Sequence, residues 1–234
     1  MFKNAASQAV ADVPATLASA VYGRLRHDVL LGELKPGEKL RIETLRERYS
    51  AGASPIREAL NRLTSDGLVV QEDQKGFRVS PVSMTELMEL TKARLWVTEL
   101  ALRQSIANGD PAWEEQILLS FHRMARAIGQ AKDDFSEAPD DIERLHRDFH
   151  SSLIAACGSR WITGFADTLF DLARRYQRLS MLGTTRRKGA EREHRAIMDA
   201  VLARDADLAV KLHNEHIGRT VDIITKLKLV PERR

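Results

Sequence analysis

Four histidines carry the most definite chemistry in this chain. His146 and His150, in the segment HRDFH, are four residues apart, so on a helix they project from one face about one turn from each other. Asp148, between them, points away. His194 and His216 are 22 residues apart, a spacing that a helix–helix hairpin can bring together across its packed face. Leu153 and Ile154 follow His150, and Leu212 and Ile217 bracket His216, so both pairs have neighbours expected to look inward. Taken singly, each is an ordinary core or surface histidine. As a set, two imidazoles at i and i+4 with one from each of two further helices make a metal site inside a helical bundle. Four imidazoles without a carboxylate favour a borderline divalent ion, zinc or nickel, over magnesium or manganese, and leave positive charge for an anionic ligand. A carboxylate effector would want a guanidinium beside the metal, which can hold it with two hydrogen bonds. Arg94 is the leading candidate, with Arg175, Tyr176 and Arg178 of LFDLARRYQRLS behind it, although a solvated or ion-paired arginine is the commoner state of each. His122 and His213 fall outside the pattern and are expected to be structural or exposed.

A second constellation lies near the N-terminus. The segment ASPIREAL, residues 53–60, offers Ser54 as an N-cap and Pro55 as the first helical residue, where a missing N–H costs nothing. Ile56, Ala59, Leu60 and Leu63 form an apolar stripe, which leaves Arg57, Asn61 and Arg62 facing out. Gly67 ends this helix, and Leu68 to Val70 and Phe77 to Val79 read as two short strands joined by a polar turn around Asp73 and Lys75-Gly76. A helix followed by such a wing is built to read DNA. Residues 1–80 carry 12 Lys and Arg against 10 Asp and Glu, so any basic surface has to be local, gathered from Arg57, Arg62, Lys75 and Arg78.

These residues need elements to hold them. Upstream, Leu17, Val21, Leu25, Val29 and Leu30 form a helical stripe that stops at Gly32; Pro36-Gly37 makes a turn, and a short helix fits Glu43 to Tyr49. Beyond Ser80-Pro81 the strand signals vanish and six helical segments follow. Ser83 to Glu86 makes a capping box for a helix that runs to Asn108-Gly109, and Asp110-Pro111 opens the next. Further breaks fall at Ser136 to Pro139, Gly158, Gly183 to Thr185 and Arg204-Asp205, before a last helix to about Leu229. The expected fold is mostly α. A winged helix-turn-helix with a small β-hairpin wing occupies residues 16–80, a linker 81–85, and an all-α antiparallel helix bundle 86–229, between an N-terminal tail of residues 1–15 and a C-terminal tail of residues 230–234.

Other classes are disfavoured. No apolar run approaches the roughly 20 residues needed to span a bilayer, and the N-terminus lacks a secretory apolar core. The single cysteine, Cys157 in LIAAC, reads as a packed thiol in a reducing cytoplasm. The rival to a ligand-responsive DNA-binding protein is a metalloenzyme, a metal-assisted hydrolase using an open coordination position. Against it, there is no HExxH, no suitably spaced pair of catalytic carboxylates and no nucleophile motif. A structural nucleoid protein would carry a strong positive excess, whereas the formal net charge is +3.

LGELKPGEKL at Leu31 to Leu40, IREAL at Ile56, GLV at Gly67 and KGF at Lys75 occur in an order and spacing that resembles GntR-family regulators. The histidine spacing resembles the FadR-type effector domain, FCD, of the same family. The resemblance implies a transcriptional regulator, with repression relieved by ligand as the expected sign, acting as a homodimer on a palindromic double-stranded DNA operator. It implies DNA contacts from Ser54, Arg57, Asn61, Arg62, Lys75 and Gly76. It also implies metal ligation by His150, His194 and His216, with His146 standing where the family usually has Asp. A second departure is Gly52-Ala53-Ser54 in place of Ser-Arg-Thr, which puts Ala53 where a DNA-contacting arginine usually stands. FHSSLIAACGS and the later LFDLARRYQRLS resemble a branch associated with glutarate-type dicarboxylates.

Overall fold

Helix α1 (Leu17–Leu31) starts where the Thr16 hydroxyl accepts a hydrogen bond from the Ser19 N–H at 3.2 Å, and stops where Gly32 turns left-handed at φ 78°. The structure, a computed structural model, describes residues 16–130, 140–182 and 189–232. The N-terminal tail and the breaks expected at Ser136 to Pro139 and Gly183 to Thr185 lie outside the described residues.

The buried stripe of α1 packs on α2 (Ile42–Tyr49) and α3 (Ala53–Ser65), and Val21, Leu25, Leu45, Ile56, Leu60 and Leu63 are all nearly inaccessible. A three-stranded antiparallel sheet closes this core, in the order β1 (Lys39–Leu40), β3 (Gly76–Val79), β2 (Val69–Glu72). The hairpin was legible and the third strand was not. β1 pairs Lys39 with Arg78 and Leu40 with Phe77, and two residues have no period to read.

Helix α3 begins earlier than the Ser-Pro signal suggested. Gly52 is the N-cap, Ala53 the first residue, Ser54 the second and Pro55 the third, and the Ile56 N–H bonds the Gly52 carbonyl at 3.3 Å. The correction has a simple cause: the first four N–H groups of a helix have no intrahelical partner, so proline at the third position sacrifices nothing.

Six helices follow: α4 (Met84–Asn108), α5 (Pro111–Gln130), α6 (Asp140–Leu153), α7 (Arg160–Leu182), α8 (Ala190–Leu202) and α9 (Ala206–Leu227). Ser83 caps α4 by accepting from the Glu86 N–H at 3.1 Å, which moves the helix start to within the expected linker. Asp110 accepts from the Trp113 N–H at 2.8 Å, and the preceding Gly109 cannot be anything larger, because a Cβ there would stand 1.9 Å from the Trp113 ring. Ile117, Phe121, Met124, Phe149, Leu153, Ile197 and Val201 fill the space between α5, α6 and α8.

Two features tie the halves together. Leu172 of α7 touches the core of the winged domain and also the cluster of Leu87, Leu90, Tyr176 and Ile224. Residues 230–232, expected as part of a C-terminal tail, dock on α4: Val230 is buried, and the carbonyls of Pro231 and Glu232 accept from the N–H groups of Met84 and Thr85. The first N–H groups of α4 need partners, and the carbonyls of Pro231 and Glu232 supply them.

Candidate metal centre and nucleic-acid interface

His146 and His150 leave α6 on the same face, held there by Phe149, which is fully buried with its ring edge-on to Phe121 at 5.7 Å. Asp148 points outward to Arg144 at 3.3 Å. His194 of α8 and His216 of α9 come in from the facing hairpin and are 2% and 8% exposed. One ligand atom from each of the four lies within 4.8 Å of the others, and among the described residues no carboxylate joins the set. His146 Nε2 is 3.0 Å from His194 Nε2 and 3.1 Å from His150 Nε2.

Outer partners decide which nitrogens are available. His194 Nδ1 lies 2.6 Å from the Ala190 carbonyl, so it carries the proton and donates, which leaves Nε2 with its lone pair. His216 Nδ1 donates to Glu193 at 3.1 Å with the same consequence, and Arg219 completes an ion pair with that carboxylate. Ring nitrogens converging in this way could hold a shared cation, and four nitrogen donors of this kind suit zinc, nickel or copper. Burial first, then the neighbouring imidazoles of His146, His216, His194 and His213, hold His150 well below the ordinary histidine range, so it is neutral and ready to ligate.

Of the arginine candidates, Arg94 is linked to this centre through the Phe170 ring. Its guanidinium sits 5.7 Å from the Phe170 ring, which in turn lies 6.0 Å from both His146 and His150. Burial lowers its pKa to about 10, and no carboxylate among the described residues pairs with it. Arg175 and Tyr176 do not reach the centre. Five and six residues past Phe170, they point to another side of α7: Arg175 donates to the carbonyls of Ser80 and Pro81, and Tyr176 donates to Glu86 at 2.7 Å while accepting from the Ser83 N–H. They hold the link between the two halves. Arg178, eight residues beyond Phe170, lies about 12 Å along the helix axis. His213, set aside on sequence grounds, is the residue that spacing missed: it is buried, with its ring 5.6 Å from His150. His122 is exposed and Cys157 is a buried free thiol.

At the other end of the molecule, Arg57 and the wing residues Lys75 and Gly76 line one open concavity of about 480 Å³ with Lys39, Arg41 and Thr44. Lys39 and Arg41 fall outside the expected site residues: the two-residue strand that carries Lys39 gives no signal, and Arg41 is the N-cap just ahead of the helix expected from Glu43. Ser54 and Asn61 are exposed on the same helix. Arg62 turns the other way: its guanidinium stacks 4.0 Å over the Tyr22 ring and donates to Ser19. Arg78 is spent on Glu72 and the Gly37 carbonyl, so it braces the wing and adds no free charge to the patch.

A winged-helix reader joined to a helical domain with an internal ligand site is the build of an effector-controlled transcriptional regulator. The comparisons agree: residues 17–79 match the model described as bacterial regulatory proteins, gntR family, and residues 89–219 match the FCD domain. This chain belongs to the GntR family of bacterial transcriptional regulators and carries an FCD effector domain, so it is a DNA-binding regulator and not an enzyme. It is 34% identical over 98% of its length, and 93% of the relative's, to the uncharacterized HTH-type transcriptional regulator BphR of Paraburkholderia xenovorans. It is 33% identical to the HTH-type transcriptional repressor GlaR of Escherichia coli, over 87% of this chain and 93% of that one. Among solved structures, E. coli McbR/YncC shares the fold, with a TM-score of 0.76 at 19% identity over 91% of this chain and 99% of that chain. No helix in the described residues is long and apolar enough to cross a membrane.

Proposed function

We propose that this protein is a cytoplasmic repressor that binds a palindromic operator as a homodimer and releases it when a small carboxylate, such as a dicarboxylate, occupies a metal held by His146, His150, His194 and His216. The observation that carries this reading is the convergence of four imidazoles, with Phe170 between two of them and Arg94, a guanidinium with no carboxylate partner among the described residues. A divalent ion and Arg94 together bring three positive charges, while Glu193 is already matched by Arg219. An anion balances that excess. Zinc or nickel fits the all-nitrogen donor set better than magnesium or manganese. When bound, the metal supplies a Lewis-acidic point that takes a carboxylate oxygen.

On the DNA side, α3 enters the major groove with Arg57 and Asn61, and Lys75-Gly76 meets the backbone or the adjacent minor groove. Lys39 and Arg41 add phosphate contacts at the same concavity. The repressor designation of the relative GlaR supports the sign. Calorimetric titration of a carboxylate panel into zinc-loaded protein, with and without operator DNA, tests the whole reading. Tighter binding in the absence of operator is the expected result; equal affinity in both conditions would refute the coupling, and no binding by any member would remove the effector class.

A further inference from the structure

His213 occupies a position that neither the fold nor the four-histidine cluster explains. It sits on α9 three residues before His216, is 4% exposed, and has its ring 5.6 Å from His150. Its Nδ1 is buried with no hydrogen-bond partner. A buried imidazole nitrogen without a partner is uncommon in a well-packed interior, where leucine or phenylalanine would fill the space without a polar atom to satisfy. An imidazole nitrogen in such a place can give an N–H to a ligand. His213 lies within reach of the field of Arg94, the guanidinium without a carboxylate partner among the described residues, and next to the cluster that holds the ion in the reading above.

We infer that His213 is a specificity-determining residue of the effector site, donating an N–H hydrogen bond to the carboxylate that Arg94 holds. The inference rests on the proposed carboxylate effector and adds a distinct role. Arg94 supplies charge and long-range attraction, which any anion satisfies. His213 supplies one short, directional donor, which rewards a carboxylate oxygen at a fixed distance from the metal and gives nothing to ligands of other lengths. A ligand with one carboxylate on the metal reaches the Arg94–His213 pair with a second only when the carbon chain between the two fits the gap, so the pair selects by ligand length. A ligand with a single carboxylate gains one end only.

The test uses zinc-loaded full-length protein, linear dicarboxylates of three to six carbons, and the monocarboxylates of matching length. His213→Phe keeps a ring of similar size and removes both nitrogens; His213→Asn keeps an N–H donor near the position of Nδ1. Wild-type protein is expected to prefer one chain length. His213→Phe is expected to weaken that ligand by about tenfold to a hundredfold, as for loss of a hydrogen bond to a charged group. It should also flatten the length preference while still binding one zinc per chain, and His213→Asn should recover most of the affinity. Affinity and length preference unchanged in His213→Phe would overturn the inference and leave the carboxylate reading intact. Loss of zinc from His213→Phe would also overturn it, by making His213 a metal ligand. No binding of any panel member to wild-type protein would remove the carboxylate reading itself, and this inference with it.

Discussion

At the residue scale, the proposed metal centre depends on groups that would not themselves touch the ion. Glu193 holds the His216 proton on Nδ1 and so keeps Nε2 free. Glu193→Gln should therefore lower zinc affinity by about 10–100-fold, read by competition with a chelating dye, the usual cost of losing such an outer partner. Unchanged affinity would place His216 outside the ligand set. Acid acts on the same residues. His150 and His213 have pKa values depressed by burial, the latter to about 3 from an ordinary 6.5, so the folded protein binds fewer protons than the unfolded chain. Stability from this source is complete above about pH 6.5 and is lost as pH falls towards 3. Metal-free protein should be less stable to urea at pH 5 than at pH 7.5, by about 2 kcal/mol from His213 alone. His213→Phe should narrow that gap, and equal stability of wild-type protein at both pH values would show that these imidazoles are not buried neutral. On the DNA face, Arg57→Ala should cost about 1–3 kcal/mol of operator affinity at fixed salt if Arg57 reads a base. Arg62→Ala should cost less, since that guanidinium is stacked on Tyr22.

At the element scale, α7 is the part that touches both the winged domain and the helical bundle. Three consecutive residues face three different neighbours: Phe170 the histidine cluster, Asp171 both Arg147 of α6 and Arg26 of α1, and Leu172 the core of the winged domain. Arg147 directly follows His146, so a shift of that ligand when the metal site fills would pull on Asp171 and, through it, on the first helix of the DNA reader. Interfaces of this kind switch between discrete packings more readily than they stretch. Arg26→Gln should leave zinc and effector binding unchanged in the absence of DNA, yet bring the ratio of effector affinities with and without operator towards one. A ratio equal to that of wild-type protein would exclude this ion pair as a route of coupling. Farther along the same helix, Arg175 and Tyr176 clamp residues 80–83, which keeps the link between the halves short and stiff.

For the whole molecule, linkage sets a strict condition. If the effector weakens operator binding by some factor, operator must weaken effector binding by the same factor, with a coupling of about 1–3 kcal/mol typical of such proteins. Fluorescence anisotropy of labelled operator at saturating and zero effector gives one ratio, and calorimetry with and without operator gives the other. Unequal ratios would mean that a further state, such as a change in oligomer, is being counted in one assay and not the other. Removing zinc with a chelator should abolish the effector response while leaving operator binding by the winged domain measurable, because the two sites occupy different halves of the chain.

Much of this organisation was written in local pattern. The α3 stripe, the glycine stops, the six helical segments and the i, i+4 pair His146 and His150 all follow from periodicities of 2 and 3.6 and from caps, which act within a few residues. Pairing across long separations was left to tertiary structure. β1 was invisible because two residues carry no period, and with it went Lys39. His213 was set aside because its distance in sequence from His150 says nothing about a ring contact across two helices. Arg175 and Tyr176 looked like site residues because their types suit an anion, but the helical rotation from Phe170 turns them onto the link. Residue type and spacing along one element declare which chemistry a chain can hold; which side chains share a site depends on how helices far apart in sequence rotate and pack against one another, and that is decided by the burial of their apolar faces together.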